Sequence, residues 1–279
     1  MLHRPGRRHH PLPPRRPRER PPRRPHPRTD RPAWLLGRHR TPPPPTRPAH
    51  PGLQRLRTGW SDRIPGPYDL DLFRRQLAEL LDATGAGPRP RPRPHIVGAS
   101  MGAPVALALL TAPHTPRPAS LTLSGPAGFT APDPLLSGLL SRPALARQTG
   151  IRLGQRLLAR HTKNNVRTQE DARRLSQLLA GPAAFDGTVH AVLTTLRDTP
   201  LHGHRDLYRA AAALHVPTLL LWRRHDNITP VTQLPTVEEL LAPQKVLTLD
   251  GHGHMLPFEA PATTAGPIAD FAAENPPPP

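Results

Sequence analysis

The 279-residue sequence has no cysteine, which excludes disulfides, thiolate metal sites and a cysteine nucleophile. Lysine is nearly absent as well: Lys163 and Lys245 stand beside 36 arginines. Acidic residues are outnumbered 20 to 38, for a formal net charge of +18. No apolar run reaches the roughly 18 residues that a spanning helix needs, so none is expected. The chain starts with charge but without an apolar h-region. No signal peptide is therefore expected, and a cytoplasmic location is.

Proline and arginine are abundant, and unevenly spread. Residues 1–50 hold 15 of the 43 prolines and 14 of the 38 basic residues against two acids, Glu19 and Asp30. That segment alone carries +12, leaving +6 for the other 229 residues. Runs such as Pro13-Pro14-Arg15-Arg16-Pro17-Arg18 lack backbone donors, and their apolar content is too low to offset chain entropy. Residues 1–56 are expected to be a disordered Arg/Pro-rich segment with polyproline II character, followed by one domain over 57–275. A basic arm of this kind can bind phosphate-bearing partners. It has Trp34 alone for base stacking and no nucleic-acid-binding motif, so a solvated tail is the expectation and no nucleic-acid partner is expected. The bias to arginine over lysine also suggests GC-rich codons. On that reading the first 50 residues resemble coding DNA translated out of frame, which the neighbouring reading frames would test.

From Gly59 the pattern changes. Apolar residues at helical spacing (Leu70, Phe73, Leu77, Leu80, Leu81) predict a helix within Tyr68–Thr84, capped by Asp69 or Asp71 and ended by Gly85 and Gly87. A Pro-Arg repeat over 88–94 reads as a rigid loop. Short apolar runs predict strands at His95–Gly98, Ser120–Ser124, Val216–Trp222 and Val246–Leu249. Helices are expected at Ala103–Leu110, Thr236–Leu241 and Ala262–Ala273, the last bent or shortened by Gly266-Pro267. Clustered apolar positions at Leu135–Leu140, Ile151–Leu158, Ala172–Leu179 and Val189–Leu196 predict a helical block between the second and third strands. Strands alternating with helices imply an α/β fold: a parallel sheet covered by helices.

Three motifs carry chemistry. Gly98-Ala99-Ser100-Met101-Gly102 is a G-x-S-x-G sequence between a predicted strand and a predicted helix. The tight turn would lift the Ser100 hydroxyl above the sheet, with small flanking residues letting strand and helix approach. The Met101 N–H, at the helix start, could face an oxyanion. A glycine-rich turn with a bystander serine is the plain alternative. Asp226 lies just past the third strand, where acids face the crevice of a parallel sheet; it could also be a loop-capping residue. His252 and His254 follow the fourth strand, and either could serve as the base for a serine. Together they could hold a metal only with a third ligand, so neither a metal nor a cofactor is expected.

The order Ser100, Asp226, His254 is that of the α/β-hydrolase fold superfamily, which the chain resembles over about 59–273. Gly59-Trp60-Ser61-Asp62-Arg63 resembles the superfamily's G-x-S turn. His95–Gly102 resembles its nucleophile elbow, and Pro217–Pro230 the strand and loop bearing its acid. Gly253-His254-Met255-Leu256-Pro257-Phe258-Glu259-Ala260-Pro261 resembles its G-H-x-x-P-x-E-x-P ending, which selects His254 over His252. The resemblance implies a parallel-sheet core with a helical lid over about 130–205. It also implies a Ser100–His254–Asp226 triad and a small-molecule acyl substrate, typically a carboxylic ester. Its C–C hydrolases and cofactor-free haloperoxidases are further options, while epoxide hydrolases carry Asp where this chain has Ser100.

The chain also departs from that pattern. No strand leading to an H-G oxyanion loop is found before Gly59, so the N-terminal strands are expected to be missing or replaced. Losing one oxyanion donor costs about 100- to 1,000-fold in rate. A catalytically impaired relative is therefore the alternative to an active hydrolase, with a basic-arm binder of nucleic acid or anionic membrane as a lesser one. Arg223 stands where the superfamily usually has glycine, and Ala103 where a second glycine is common; both are expected to matter less.

Overall fold

The computed structural model describes residues 66–84, 93–115, 117–131, 164–183 and 188–277. The 1–56 segment, the Gly59–Arg63 turn, the Gly85/Gly87 helix stop, most of the Pro-Arg loop and the helices expected at Leu135–Leu140 and Ile151–Leu158 lie outside the described residues.

Four strands form one parallel sheet: β1 (His95–Ala99), β2 (Ser120–Ser124), β3 (Thr218–Arg223) and β4 (Lys245–Leu249), in that spatial order. The register pairs Ala99 with Ser124, Ser124 with Leu221, and Arg223 with Leu249. The carboxyl ends of all four strands thus share one edge of the sheet. β2 and β3 are buried at every position, as expected for central strands covered on both faces. Among the described residues β1 and β4 are the edges, and Val97 of β1 is half exposed.

Helix α1 (Leu70–Ala83) starts at Asp69, whose Oδ1 accepts from the Leu72 N–H at 2.8 Å; of the two expected caps, Asp69 acts. Helix α2 (Gly102–Thr111) is Ala/Leu-rich and almost wholly buried. Between β2 and β3 come α3 (Gln169–Ala183), α4 (Thr188–Asp198) and α5 (Arg205–Ala212). After β3 a short 3₁₀ turn (Val231–Gln233) leads into α6 (Leu234–Leu241), two residues earlier than expected. Pro235 sits in its first turn, where a missing N–H costs nothing. After β4 follow α7 (Leu256–Glu259) and α8 (Pro261–Glu274).

Helix α8 runs through Gly266-Pro267 to Glu274, so the expected shortening does not occur. The carbonyl that loses its partner to Pro267 belongs to Thr263, which is exposed and open to water, while Thr264 and Phe271 hold the helix on its buried side.

One core cluster joins α2 (Ala103, Ala106, Leu107, Leu110), β2 (Leu121, Leu123), β3 (Leu220, Trp222), α5 (Tyr208, Ala211) and α6 (Val237, Leu240, Leu241). Each such fully buried large apolar side chain contributes about 1.5–3 kcal/mol. Strand alternation sends Ser124 and Arg223 to the other face. A second cluster packs Tyr68 and Phe73 on Met101 and Val105, locking α1 against the start of α2. Among the described residues no helix is long and apolar enough to cross a membrane.

Candidate active site

The chain leaves β1 at Ala99 and enters α2 at Gly102, so Ser100 and Met101 must turn it within two residues. Ser100 does so at φ +51°, a left-handed conformation that costs a non-glycine residue about 1–2 kcal/mol. Three backbone bonds pin it there. The Ser100 N–H donates to the Ser124 carbonyl at 3.0 Å, and the Ser100 carbonyl accepts from Ala103 at 3.0 Å and Ala127 at 3.1 Å. Strain held by surrounding bonds is characteristic of functional turns. Met101 has helical backbone angles at the N-terminus of α2.

The two flanking glycines are not equivalent, which corrects the steric account from sequence. A Cβ on Gly98 would lie 2.7 Å from the Gly102 carbonyl oxygen and 3.0 Å from the Ala103 Cα. A Cβ on Gly102 would meet nothing within 4 Å. Close approach of strand and helix therefore depends on Gly98 alone.

Asp226 lies three residues beyond the end of β3, is 4% exposed, and meets His254 directly. Its Oδ1 and Oδ2 are 3.0 and 2.9 Å from His254 Nδ1. Oδ1 also accepts from the Ile228 and Thr229 N–H groups at 2.9 and 2.8 Å, and Oδ2 from the Thr229 hydroxyl at 2.9 Å. Trp222 Nε1 donates to the Thr229 carbonyl at 2.9 Å, tying this loop to β3. Burial pushes the Asp226 carboxyl up. The His254 hydrogen bond and charge, the Arg223 charge and the Thr229 N–H outweigh it, so the group sits below the ordinary carboxylate value.

His254 is 8% exposed, whereas His252 is half-buried and, among the described residues, has no hydrogen bond to Asp226. Among the described residues no hydrogen bond joins the Ser100 hydroxyl to His254, and no group of three metal-capable side chains exists. Catalytic hydrogen bonds commonly tighten only with substrate bound.

Arg223 is the residue the sequence undervalued. Its side chain is fully buried at the end of β3. Nε donates to the Gly253 carbonyl at 3.1 Å and one terminal nitrogen to Ser124 Oγ at 2.9 Å. The other terminal nitrogen is 2.6 Å from both Asp226 Oδ2 and the His254 carbonyl, and 3.1 Å from His254 Nδ1. The signal was in the sequence: an arginine closing the apolar run Leu219-Leu220-Leu221-Trp222 is buried only if its charge is met. Ser124 links the two halves of the site, since its carbonyl holds the Ser100 N–H and its hydroxyl meets Arg223.

The helices between β2 and β3 reach this region. The Met255 N–H donates to the Asn165 carbonyl at 2.9 Å, and Val166, Ala172 and Leu175 pack on Phe258. Just beyond α4, the Thr199 hydroxyl donates to the Tyr68 carbonyl at 2.8 Å, and Asp198 accepts from the Tyr68 N–H at 2.8 Å.

The comparisons with known proteins agree with this architecture. A search among curated proteins finds no match. Among solved structures, a thermophilic esterase from Thermogutta terrifontis is similar with a TM-score of 0.60 and 21% identity, over 78% of this chain and 77% of that one. An esterase from Exiguobacterium antarcticum is similar with a TM-score of 0.62 and 16% identity, over 80% of each chain. A bromoperoxidase from Bacillus anthracis is similar with a TM-score of 0.62 and 16% identity, over 78% of this chain and 79% of that one. At such identities these likenesses speak for the fold. The sequence model described as the alpha/beta hydrolase family matches residues 30–266, which is most of the chain. With a parallel sheet, a strained strand–helix turn and an acid–histidine pair at one sheet edge, the chain belongs to the alpha/beta hydrolase family.

Proposed function

We propose that the protein is a serine hydrolase of carboxylic esters or related acyl compounds. Ser100 is the nucleophile, His254 the base and Asp226 the residue that orients it. One observation carries the reading. A serine at φ +51° on a strand–helix turn shares the carboxyl edge of the sheet with a buried carboxylate–imidazole pair. The esterases among the structural neighbours support it, and the bromoperoxidase is a reminder that this fold hosts more than one reaction.

In this mechanism His254 Nε2 takes the Ser100 proton as Oγ attacks the acyl carbon. The carbonyl π electrons move to oxygen, and the Met101 N–H at the start of α2 stabilises that charge. His254 then protonates the departing alcohol, and a water activated by the same imidazole releases the acid. Asp226 keeps the proton on Nδ1 so that Nε2 presents its lone pair. Helices α3 and α4 serve as the lid over the acyl group.

A second reading, a catalytically impaired relative, draws on two observations: Ser100 and His254 share no hydrogen bond, and a buried arginine competes for Asp226. Labelling by a fluorophosphonate probe decides between them. Labelling of the full chain that disappears in Ser100→Ala supports the hydrolase, with an ester panel to follow. Folded protein that does not label overturns it.

A further inference from the structure

The proton inventory of the buried network gives Arg223 a function. A charged carboxylate offers about four lone-pair positions. Asp226 accepts from Ile228 N–H, Thr229 N–H, the Thr229 hydroxyl and Arg223, and His254 Nδ1 shares those two oxygens with them. The Arg223 nitrogen nearest His254 carries two protons, and two oxygens lie 2.6 Å from it, Asp226 Oδ2 and the His254 carbonyl. Both protons are thereby used. His254 Nδ1, 3.1 Å away, is left to donate to Asp226, which fixes the tautomer.

Arg223 also joins the three segments that build the site. It holds Ser124 at the end of β2, Asp226 on the loop after β3, and the Gly253 and His254 carbonyls on the loop after β4. A guanidinium keeps its charge even when buried. When His254 takes up a proton, that new positive charge meets a carboxylate whose own charge Arg223 already offsets.

We propose that Arg223 is a positioning residue that fixes His254 against Asp226 while cancelling the Asp226 charge, so that the pair works as a base in more acidic solution than it would with a small residue at 223. The inference rests on the serine-hydrolase reading for its catalytic meaning. The charged groups around the pair are Asp226, Arg223 and Glu259, with half-buried His252 on the same loop. The Glu259 charge favours the charged form of Arg223 and offsets its field; its Oε2 accepts from the Gly253 N–H at 2.9 Å, and its Oε1 is buried without a hydrogen-bond partner.

The test follows the His254 ring by nitrogen-edited NMR titration of the full chain, assigned by comparison with His254→Gln. The pH profile of fluorophosphonate labelling is recorded beside it. Arg223→Met should raise the His254 midpoint, because a neighbouring like charge that disfavours the imidazolium is removed. The acid limb of labelling should rise with it. Arg223→Lys keeps a positive charge but not the guanidinium's four hydrogen bonds, so its midpoint should fall between wild type and Arg223→Met, and Glu259→Gln should move the midpoint down. An unmoved or lowered midpoint in Arg223→Met overturns the proposal. If that variant does not fold, an unmoved or lowered midpoint in Arg223→Gln overturns it. Loss of labelling in wild type would strike the hydrolase reading, while the NMR midpoint would still judge Arg223.

Discussion

Asp226 meets the single nitrogen Nδ1 of His254 with both carboxylate oxygens, at 2.9 and 3.0 Å, while its Oδ2 also receives Arg223 at 2.6 Å. One carboxylate therefore serves a guanidinium and an imidazole in a buried setting.

Replacing Asp226 by Asn should expose both dependencies. Labelling of Ser100 should fall by about 10⁴, because the imidazole loses the acceptor that fixes its tautomer. Stability should fall by about 3–5 kcal/mol, because Arg223 is left as an uncompensated buried charge. The double variant Arg223→Met/Asp226→Asn should regain part of that loss in urea unfolding. Single and double variants of equal stability would sink this account.

The same groups set the acid side of the stability curve. Asp226 sits below its ordinary value of 3.8 in the folded chain, so its contribution is present above that pH and is lost as pH falls through the folded value. His204 is lowered from 6.5 chiefly by burial, against a hydrogen bond to the Pro200 carbonyl. A half-buried histidine that resists protonation contributes stability above pH 6.5 and loses it as the solution acidifies. Unfolding free energy should thus decline in two stages. The first, below 6.5, should be flattened in His204→Asn and the second, below 3.8, in Asp226→Asn. Urea midpoints across pH check this, and unchanged profiles would reject it.

Much of this was legible because local pattern and tertiary role coincide. Ser120–Ser124 was read with the right boundaries, since a short alternating run flanked by Pro118 and Gly125 leaves little else to form. The strand–turn–helix around Ser100 is legible because its three parts are adjacent in sequence. The partners of Asp226 are less so: Ile228 and Thr229 are local, but His254 lies 28 residues away and only the resemblance to the superfamily's ending points to it. Arg223 was underrated because its value is non-local, drawn from Ser124, Gly253 and His254 converging on one guanidinium. The full length of α8 is not legible in the sequence, because the cost of Pro267 depends on whether water reaches Thr263, which only tertiary burial decides.

Gly125 offers an independent probe of the arginine. It adopts φ +49°, and a Cβ there would lie 2.5 and 2.6 Å from the two terminal nitrogens of Arg223. A free arginine would swing away, but this one is held by four hydrogen bonds of 2.6 to 3.1 Å. Gly125→Ala should therefore destabilise by about 1–3 kcal/mol, combining overpacking with left-handed backbone strain. In an Arg223→Met background the packing share of that cost should shrink, leaving the backbone share. Additive effects in thermal unfolding would mean that the two residues do not compete for space.

The elbow itself makes a sharp distinction between two glycines that a motif treats alike. An alanine at Gly98 drives its Cβ into the Gly102 carbonyl and the Ala103 Cα, all backbone, so the turn and not a side chain must give way. Gly98→Ala should cost about 1–3 kcal/mol by overpacking and displace Ser100 enough to slow labelling by tens-fold or more, since about 1 Å of misplacement can cost 10²-fold. Gly102→Ala meets open space and begins a helix, where alanine is favoured over glycine by about 0.8–1 kcal/mol in the interior and by less at an end. Gly102→Ala should therefore unfold no earlier than wild type and label at a similar rate. Equal damage from both substitutions would mean that the second glycine serves something other than the approach of strand and helix, such as room for the acyl group itself.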